Sequence, residues 1–290
     1  MKPADSRPPF LVMAHHRSGS NFLTDLLQQH AGVECLNEPL SMHTRFFREQ
    51  DLAVWTAADF DPVLLHRSLA SEEALRGYLF ELRQYLSGSR RGRIIGFKDT
   101  CLFGKLGWLK AFMPTLRIVF LRRDARAIVS SVLRSDLAAL WRYADQVPPA
   151  FSRLFPAYVS RVRAGEAALR ATEVAAMSVA TRYELARRTL GRFEHLTLEL
   201  ESFTSDPQPS VQALAQFLGV EAAPEQLAFV ATRHGESRGG LFSSFRSVED
   251  VEQGWRRYLS ASQLEVIGDV LGMLQRQAAP GAAQLRAGGR

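Results

Sequence analysis

The chain has 290 residues, 46% of them hydrophobic and 23% charged, enough to bury the core of one large α/β domain. Its net charge of +6 comes from basic residues scattered along the chain, with Arg dominant and no basic block of five or six, which disfavours a nucleic-acid partner and fits a small, highly anionic ligand. No apolar run approaches the roughly 18 residues of a transmembrane segment, and Cys35 and Cys101 lie far apart, so neither a disulfide framework nor a metal site is indicated.

Residues 1–9, with Pro3, Pro8 and Pro9, read as a flexible lead without the apolar stretch of a signal peptide, so a cytoplasmic location is expected. FLVMA (10–14) is a buried strand. HHRSGSN then leads through Gly19 into a helix over 21–30 with Phe22, Leu23, Leu26 and Leu27 at helical spacing. Such a junction points backbone N–H groups and the positive end of a helix dipole at one spot, which suits a phosphate or sulfate. The leading Gly and the Lys of a Walker A loop are missing; Arg17, Ser18, Gly19, Ser20 and Asn21 stand there instead, so an ATP–magnesium site is disfavoured.

VECL (33–36) is the second strand, followed by LNEPL. Residues 41–66 are aromatic-rich and lack a clean period, as does the stretch over 140–156. Both read either as walls or lid of a pocket or as surface loops with satellite packing. A helix at 72–87, the strand RIIGF (93–97) and a helix at 105–112 lead to RIVFL (117–121). That strand runs into an Arg-rich turn and a helix over 125–141, which places Arg123 at the strand end and Ser131 about two turns into the helix, where the two can hold a phosphate.

Helices at 157–190 and 208–218 flank the strand HLTLEL (195–200), and a helix at 261–275 opens with Ser262 and Glu265 as a capping box. The tail from 276 reads as flexible. The expected architecture is one α/β domain over 10–275, a mainly parallel central sheet with helices on both faces and ligands at the carboxyl ends of its strands.

On these motifs the chain resembles the sulfotransferases that use 3′-phosphoadenosine 5′-phosphosulfate (PAPS), most closely the carbohydrate and bacterial branches. RSGSNFLTDLLQQH is similar to their loop for the 5′-phosphosulfate, FLRRDARAIVSS to their 3′-phosphate element, and LNEPL to a Glu-Pro pair that follows the first loop. Ala125 stands where those branches carry Pro, a change at the helix start only. Weaker likenesses run through GFKDT (96–100), the segment 195–220 ending in FLGV, and the segment from Arg238, similar to a part that closes over the nucleotide.

The resemblance implies a P-loop-like fold and a PAPS-dependent sulfotransferase, bacterial and without a metal. In it, Arg17 and the amides of Ser18–Asn21 hold the 5′-phosphate, and Arg123 with Ser131 holds the 3′-phosphate. Glu38, 21 residues beyond Arg17, is the general base; Pro39 biases it toward an extended backbone that projects the carboxylate into the crevice. Lys98 is similar in placement to a family lysine beside the transferring group. His15, His16 and His43 are alternative bases at positions that do not match the family's His-using branch.

The expected acceptor is a small molecule, glycan or lipid, and aromatics such as Phe46, Phe47, Trp55, Trp141 and Tyr143 suit either stacking on sugar rings or lining an apolar pocket, two uses that look identical in sequence. Two other readings compete. A P-loop-type nucleoside or small-molecule kinase shares the architecture but needs the missing Lys; a non-catalytic nucleotide-binding module has no use for Glu38.

Overall fold

The computed structural model describes residues 7–41, 49–66, 72–87, 92–135, 140–141, 143–235 and 247–278. Five strands, β1 (Phe10–Ala14), β2 (Val33–Asn37), β3 (Ile94–Asp99), β4 (Arg117–Arg122) and β5 (His195–Glu199), form one sheet in the order β2-β3-β1-β4-β5, with every pairing parallel. Parallel central strands are covered on both faces and so read as unbroken apolar runs. All five residues of β1 and all six of β3 are buried, whereas the edge strands β2 and β5 expose alternate positions.

Alternation along β1 divides the core. Leu11 and Met13 point to the face that carries α3 (Glu72–Ser87) and the long helix Ala167–Thr189, while Phe10, Val12 and Ala14 face α1 (Ser20–Gln28) and the helix Pro207–Leu218. Gly96 lies opposite Phe10, and a side-chain carbon there would come within 2.5 Å of the Phe10 ring, so only glycine lets the ring cross β3.

The remaining helices, in chain order, are α2 (Glu49–Ala57), α4 (Leu106–Phe112), α5 (Ala125–Ser135), α6 (Val147–Leu154), α7 (Ala167–Thr189), α8 (Leu200–Ser205), α9 (Pro207–Leu218), α10 (Pro224–Gly235), α11 (Val248–Glu252) and α12 (Ala261–Ala278). The two aperiodic stretches therefore contain helix: α2 and a 3₁₀ turn (Pro62–His66) within 41–66, and α6 within 140–156. The helix expected from 157 begins ten residues later, at Ala167, because the chain passes Gly165 at φ 99°. The helix expected over 125–141 is described over Ala125–Ser135, and 136–139 lie outside the described residues.

The capping box of α12 is real but sits two residues earlier: Gln263 N–H donates to Ser260 Oγ (3.2 Å) and Ser260 N–H to Gln263 Oε1 (2.9 Å). Residues 1–6 and 279–290, most of the expected lead and tail, lie outside the described residues, as do 236–246 of the segment expected to close over a nucleotide. Among the described residues no helix is long and apolar enough to cross a membrane, and no group of acidic, His or Cys side chains has the arrangement of a metal site.

Helix α7 is the central support. Nearly every residue from Ala171 to Ala186 is buried, with small Ala side chains that let α5, α6 and α12 pack closely and a few polar groups placed among them. Because all strands run one way, the segments after β1, β2, β3 and β4 emerge on the same edge of the sheet. The candidate site is built there.

Candidate active site

The turn after β1 is closed by the Ser18 N–H donating to the His15 carbonyl at 3.1 Å. The Ser18 amide is thus occupied within the turn, and the start of α1 is where a helix leaves amides without intrahelical carbonyls. Gly19 caps α1 at φ 84°, with no side-chain cap, and a β-carbon there would meet Leu200 at 2.8 Å. Arg17 also has a positive φ, 69°. The Ser18 hydroxyl is fully buried and makes no hydrogen bond.

The segment after β4 meets this loop directly. Arg17 Nε donates to Ser131 Oγ (3.0 Å), and Arg123 Nη1 donates to the Arg17 carbonyl (2.9 Å). Arg17 thus touches both Arg123 and Ser131, and the two expected anion sites form one connected basic surface. Arg123 Nε is buried without a hydrogen-bond partner among the described residues. Burial, together with the nearness of the Arg17 charge, lowers the Arg123 pKa from its ordinary value against the opposing pull of Glu201.

The third group lies at the ends of β2 and β3. Lys98 Nζ donates to Glu38 Oε1 (2.8 Å) and to Asn21 Oδ1 (3.0 Å), and Thr100 Oγ1 donates to the same Glu38 oxygen (3.3 Å). Lys98 is 2% exposed and Glu38 31%, so the ammonium is enclosed while the carboxylate keeps an open side. The extended backbone expected for Glu38 is not found: its φ is +48° despite Pro39. Its N–H donates to the Lys98 carbonyl (2.8 Å) and its carbonyl accepts from Ser41 N–H (3.1 Å), and these two bonds outweigh the pre-proline preference. Tyr78 adds a bond from its hydroxyl to the Pro39 carbonyl (3.0 Å).

Of the alternative bases, His15 is internal and His16 is partly buried. Arg182 donates to His15 Nε2 (3.1 Å), so that nitrogen is the acceptor and Nδ1 carries the proton given to the His16 carbonyl (2.6 Å). Both ring nitrogens of His15 are occupied, and burial with the Arg182 charge pushes its pKa down to about 3. Burial and the charges of His15, Arg182 and Arg17 likewise hold His16 well below its usual range. His43 lies outside the described residues.

The aromatics expected at the acceptor pocket divide. Trp55 is in the core, its Nε1–H on the Leu40 carbonyl (3.2 Å) and its ring edge-on to Trp108, and Tyr143 is buried beside Phe60; Trp141 is half exposed. Phe46 and Phe47 lie outside the described residues.

Behind the site runs a buried polar network that sequence reasoning missed. Arg182 of α7 donates to Asp59 Oδ2 (2.5 Å) and Ser178 Oγ (2.7 Å) as well as to His15, and Asp59 Oδ1 accepts from the Phe103 N–H (2.8 Å) with Lys105 Nζ 3.6 Å away. Asp99, next to Lys98, is fully buried; one oxygen accepts from Cys101 N–H (2.9 Å) and the other has no partner. Burial raises its pKa to about 7, with the Glu38 charge adding to the rise. The only sequence signal for these groups was polar residues inside apolar surroundings, in a helix whose spacing reads equally well as a solvated face.

A family model described as "Sulfotransferase family" matches residues 8–224. No curated protein matches the chain. Among solved structures, the fold is similar to the sulfotransferase domain from the Synechococcus PCC 7002 olefin synthase, at 18% identity over 96% of this chain and 98% of that one, with a TM-score of 0.51. It is also similar to mouse sulfotransferase SULT7A1, a structure complexed with PAP, at 11% identity over 94% of this chain and 86% of that one, with a TM-score of 0.53.

Proposed function

The chain belongs to the sulfotransferase family, and from that premise we propose that it takes PAPS as donor and places the sulfuryl group on a hydroxyl of a small-molecule, glycan or lipid acceptor, with Glu38 as general base. The observation that carries this reading is the position of Lys98 Nζ, bonded at once to the carboxylate of Glu38 and to Asn21 in the first turn of the anion-binding helix. One buried ammonium joins the candidate base to the candidate donor loop.

PAPS brings the sulfuryl group and a leaving 5′-phosphate. Arg17 and the first amides of α1 hold that phosphate and take up its growing negative charge as the bridging S–O bond breaks. Arg123 and Ser131 hold the 3′-phosphate, which distinguishes this nucleotide from ATP or AMP. The open side of Glu38 accepts the proton of the acceptor hydroxyl as the new S–O bond forms, while Lys98 and Thr100 fix the carboxylate's other side. The mouse neighbour's complex with PAP agrees with this choice of nucleotide. A kinase reading lacks the Walker lysine, and a purely binding module leaves the Lys98–Glu38 pair without a purpose.

The test is direct. Incubation with sulfur-labelled PAPS and a panel of sugar, lipid and phenolic alcohols should move label to an acceptor and release adenosine 3′,5′-bisphosphate, without added metal. Binding of ATP–magnesium in preference to the bisphosphate refutes the proposal.

A further inference from the structure

Arg123 stands one residue past the last register pair of β4 with β5, Arg122 opposite Glu199. Its N–H and C=O have therefore left the ladder, and buried main-chain groups without partners cost on the order of 1–3 kcal/mol each. Tyr183 of α7 supplies both. Its hydroxyl donates to the Arg123 carbonyl (3.1 Å) and accepts from the Arg123 N–H (3.2 Å). One phenol has one proton and free lone pairs, so it can serve both groups of the same residue at once, as a neighbouring strand does.

The phenol is itself held. The Tyr183 ring is buried, edge-on to Phe120 at 5.8 Å between centroids and under the Arg122 guanidinium at 5.5 Å. Phe120 and Arg122 point to the same side of β4, so the strand that delivers Arg123 also grips the ring. The next residue is fixed separately, with the Asp124 N–H donating to Glu201 Oε1 (2.9 Å). Burial pushes the Tyr183 pKa up, so the hydroxyl keeps its proton at every working pH.

We propose that Tyr183 is a positioning residue for nucleotide selection: by bonding both main-chain groups of Arg123 it anchors that guanidinium for a 3′-phosphate, an inference that rests on the PAPS reading above. The hydroxyl has its two bonds inside the protein and touches Arg123 rather than the ligand. Its effect is therefore confined to ligands that carry the phosphate Arg123 holds. A residue that merely stabilises the fold shows no such preference.

The experiment is calorimetric titration of the full chain with adenosine 3′,5′-bisphosphate and with AMP, in wild type, Tyr183→Phe and Tyr158→Phe. Tyr158 is the control, since its hydroxyl also makes a bond into α7, to Glu173 at 2.8 Å, without reaching Arg123. Tyr183→Phe should weaken bisphosphate binding roughly tenfold, the equivalent of one hydrogen bond, and leave AMP binding unchanged. Tyr158→Phe should alter neither.

If Tyr183→Phe keeps the wild-type preference, or weakens both ligands equally, the inference is overturned and the PAPS reading survives. If wild type binds the two ligands equally, the reading falls and the inference with it. Should Tyr183→Phe fail to fold, Tyr183→His carries the same comparison with the same expected loss.

Discussion

Glu38 and Lys98 are joined twice: the Lys98 ammonium donates to the Glu38 carboxylate at 2.8 Å, and the Glu38 N–H donates to the Lys98 carbonyl at the same distance. The main-chain bond continues the β2–β3 register one step past Asn37 opposite Lys98. The sheet itself thus sets the distance between carboxylate and ammonium, and Glu38 needs no mobile loop to reach its place.

Glu38→Gln keeps the size of the side chain and an oxygen for Lys98 and Thr100 but cannot accept a proton. It should bind adenosine 3′,5′-bisphosphate as wild type does while transferring sulfate about 10²–10⁴-fold more slowly. Steady-state turnover with an identified acceptor checks this, and near-normal turnover removes Glu38 as the base.

Arg123→Ala removes a guanidinium whose Nε has no hydrogen-bond partner among the described residues. The variant should lose most of the preference for the bisphosphate over AMP, by roughly tenfold to a hundredfold, the range for hydrogen bonds to charged groups. Competition binding with the two nucleotides measures it directly.

Arg17→Ala should lower both kcat and kcat/KM, because in the proposed reaction the Arg17 charge meets the phosphate that becomes more negative as the bond breaks. Arg17→Lys retains the charge but not the geometry of the Nε bond to Ser131, so partial activity is expected. An unchanged kcat in Arg17→Ala confines the residue to ground-state binding.

Asp99 gives a pH signature. Its folded pKa of about 7 lies above the ordinary Asp value of 3.8, so between the two the folded state holds a proton that the unfolded chain has released. Stability from this group is therefore present below the unfolded pKa and is lost as pH rises toward 7. In Asp99→Asn that loss is absent. The melting temperature of the variant relative to wild type should accordingly be higher at pH 8 than at pH 4, and a difference that does not change with pH rules out a buried, titrating Asp99.

Much of the site was legible because its signals are local. Arg17 to Asn21 announce a strand, loop and helix within a dozen residues, and Arg123 and Ser131 do the same after β4. Glu38 was marked by its neighbour Pro39, yet that neighbour predicted the wrong backbone, since a bond to Lys98 sixty residues away decides it. Arg182 and Tyr183 were not legible at all. Their partners, His15 and Asp59 for one and Arg123 for the other, are brought together only by tertiary packing around α7, and in sequence a polar pair within a helix looks like a wet face. The start of α7 was missed for a smaller reason, the turn through Gly165.

Arg17 and Glu38 are the two non-glycine residues with positive φ among those described, and they are also the candidate charge stabiliser and the candidate base. A side chain in that conformation costs on the order of 1–3 kcal/mol, a cost glycine largely avoids. Laboratory evolution for heat resistance alone would therefore favour Arg17→Gly, which gives up the candidate charge stabiliser, but not Glu38→Gly, which leaves the buried Lys98 ammonium without its carboxylate. Any selection scheme for this enzyme has to screen for turnover alongside melting temperature, or it will discard the chemistry first.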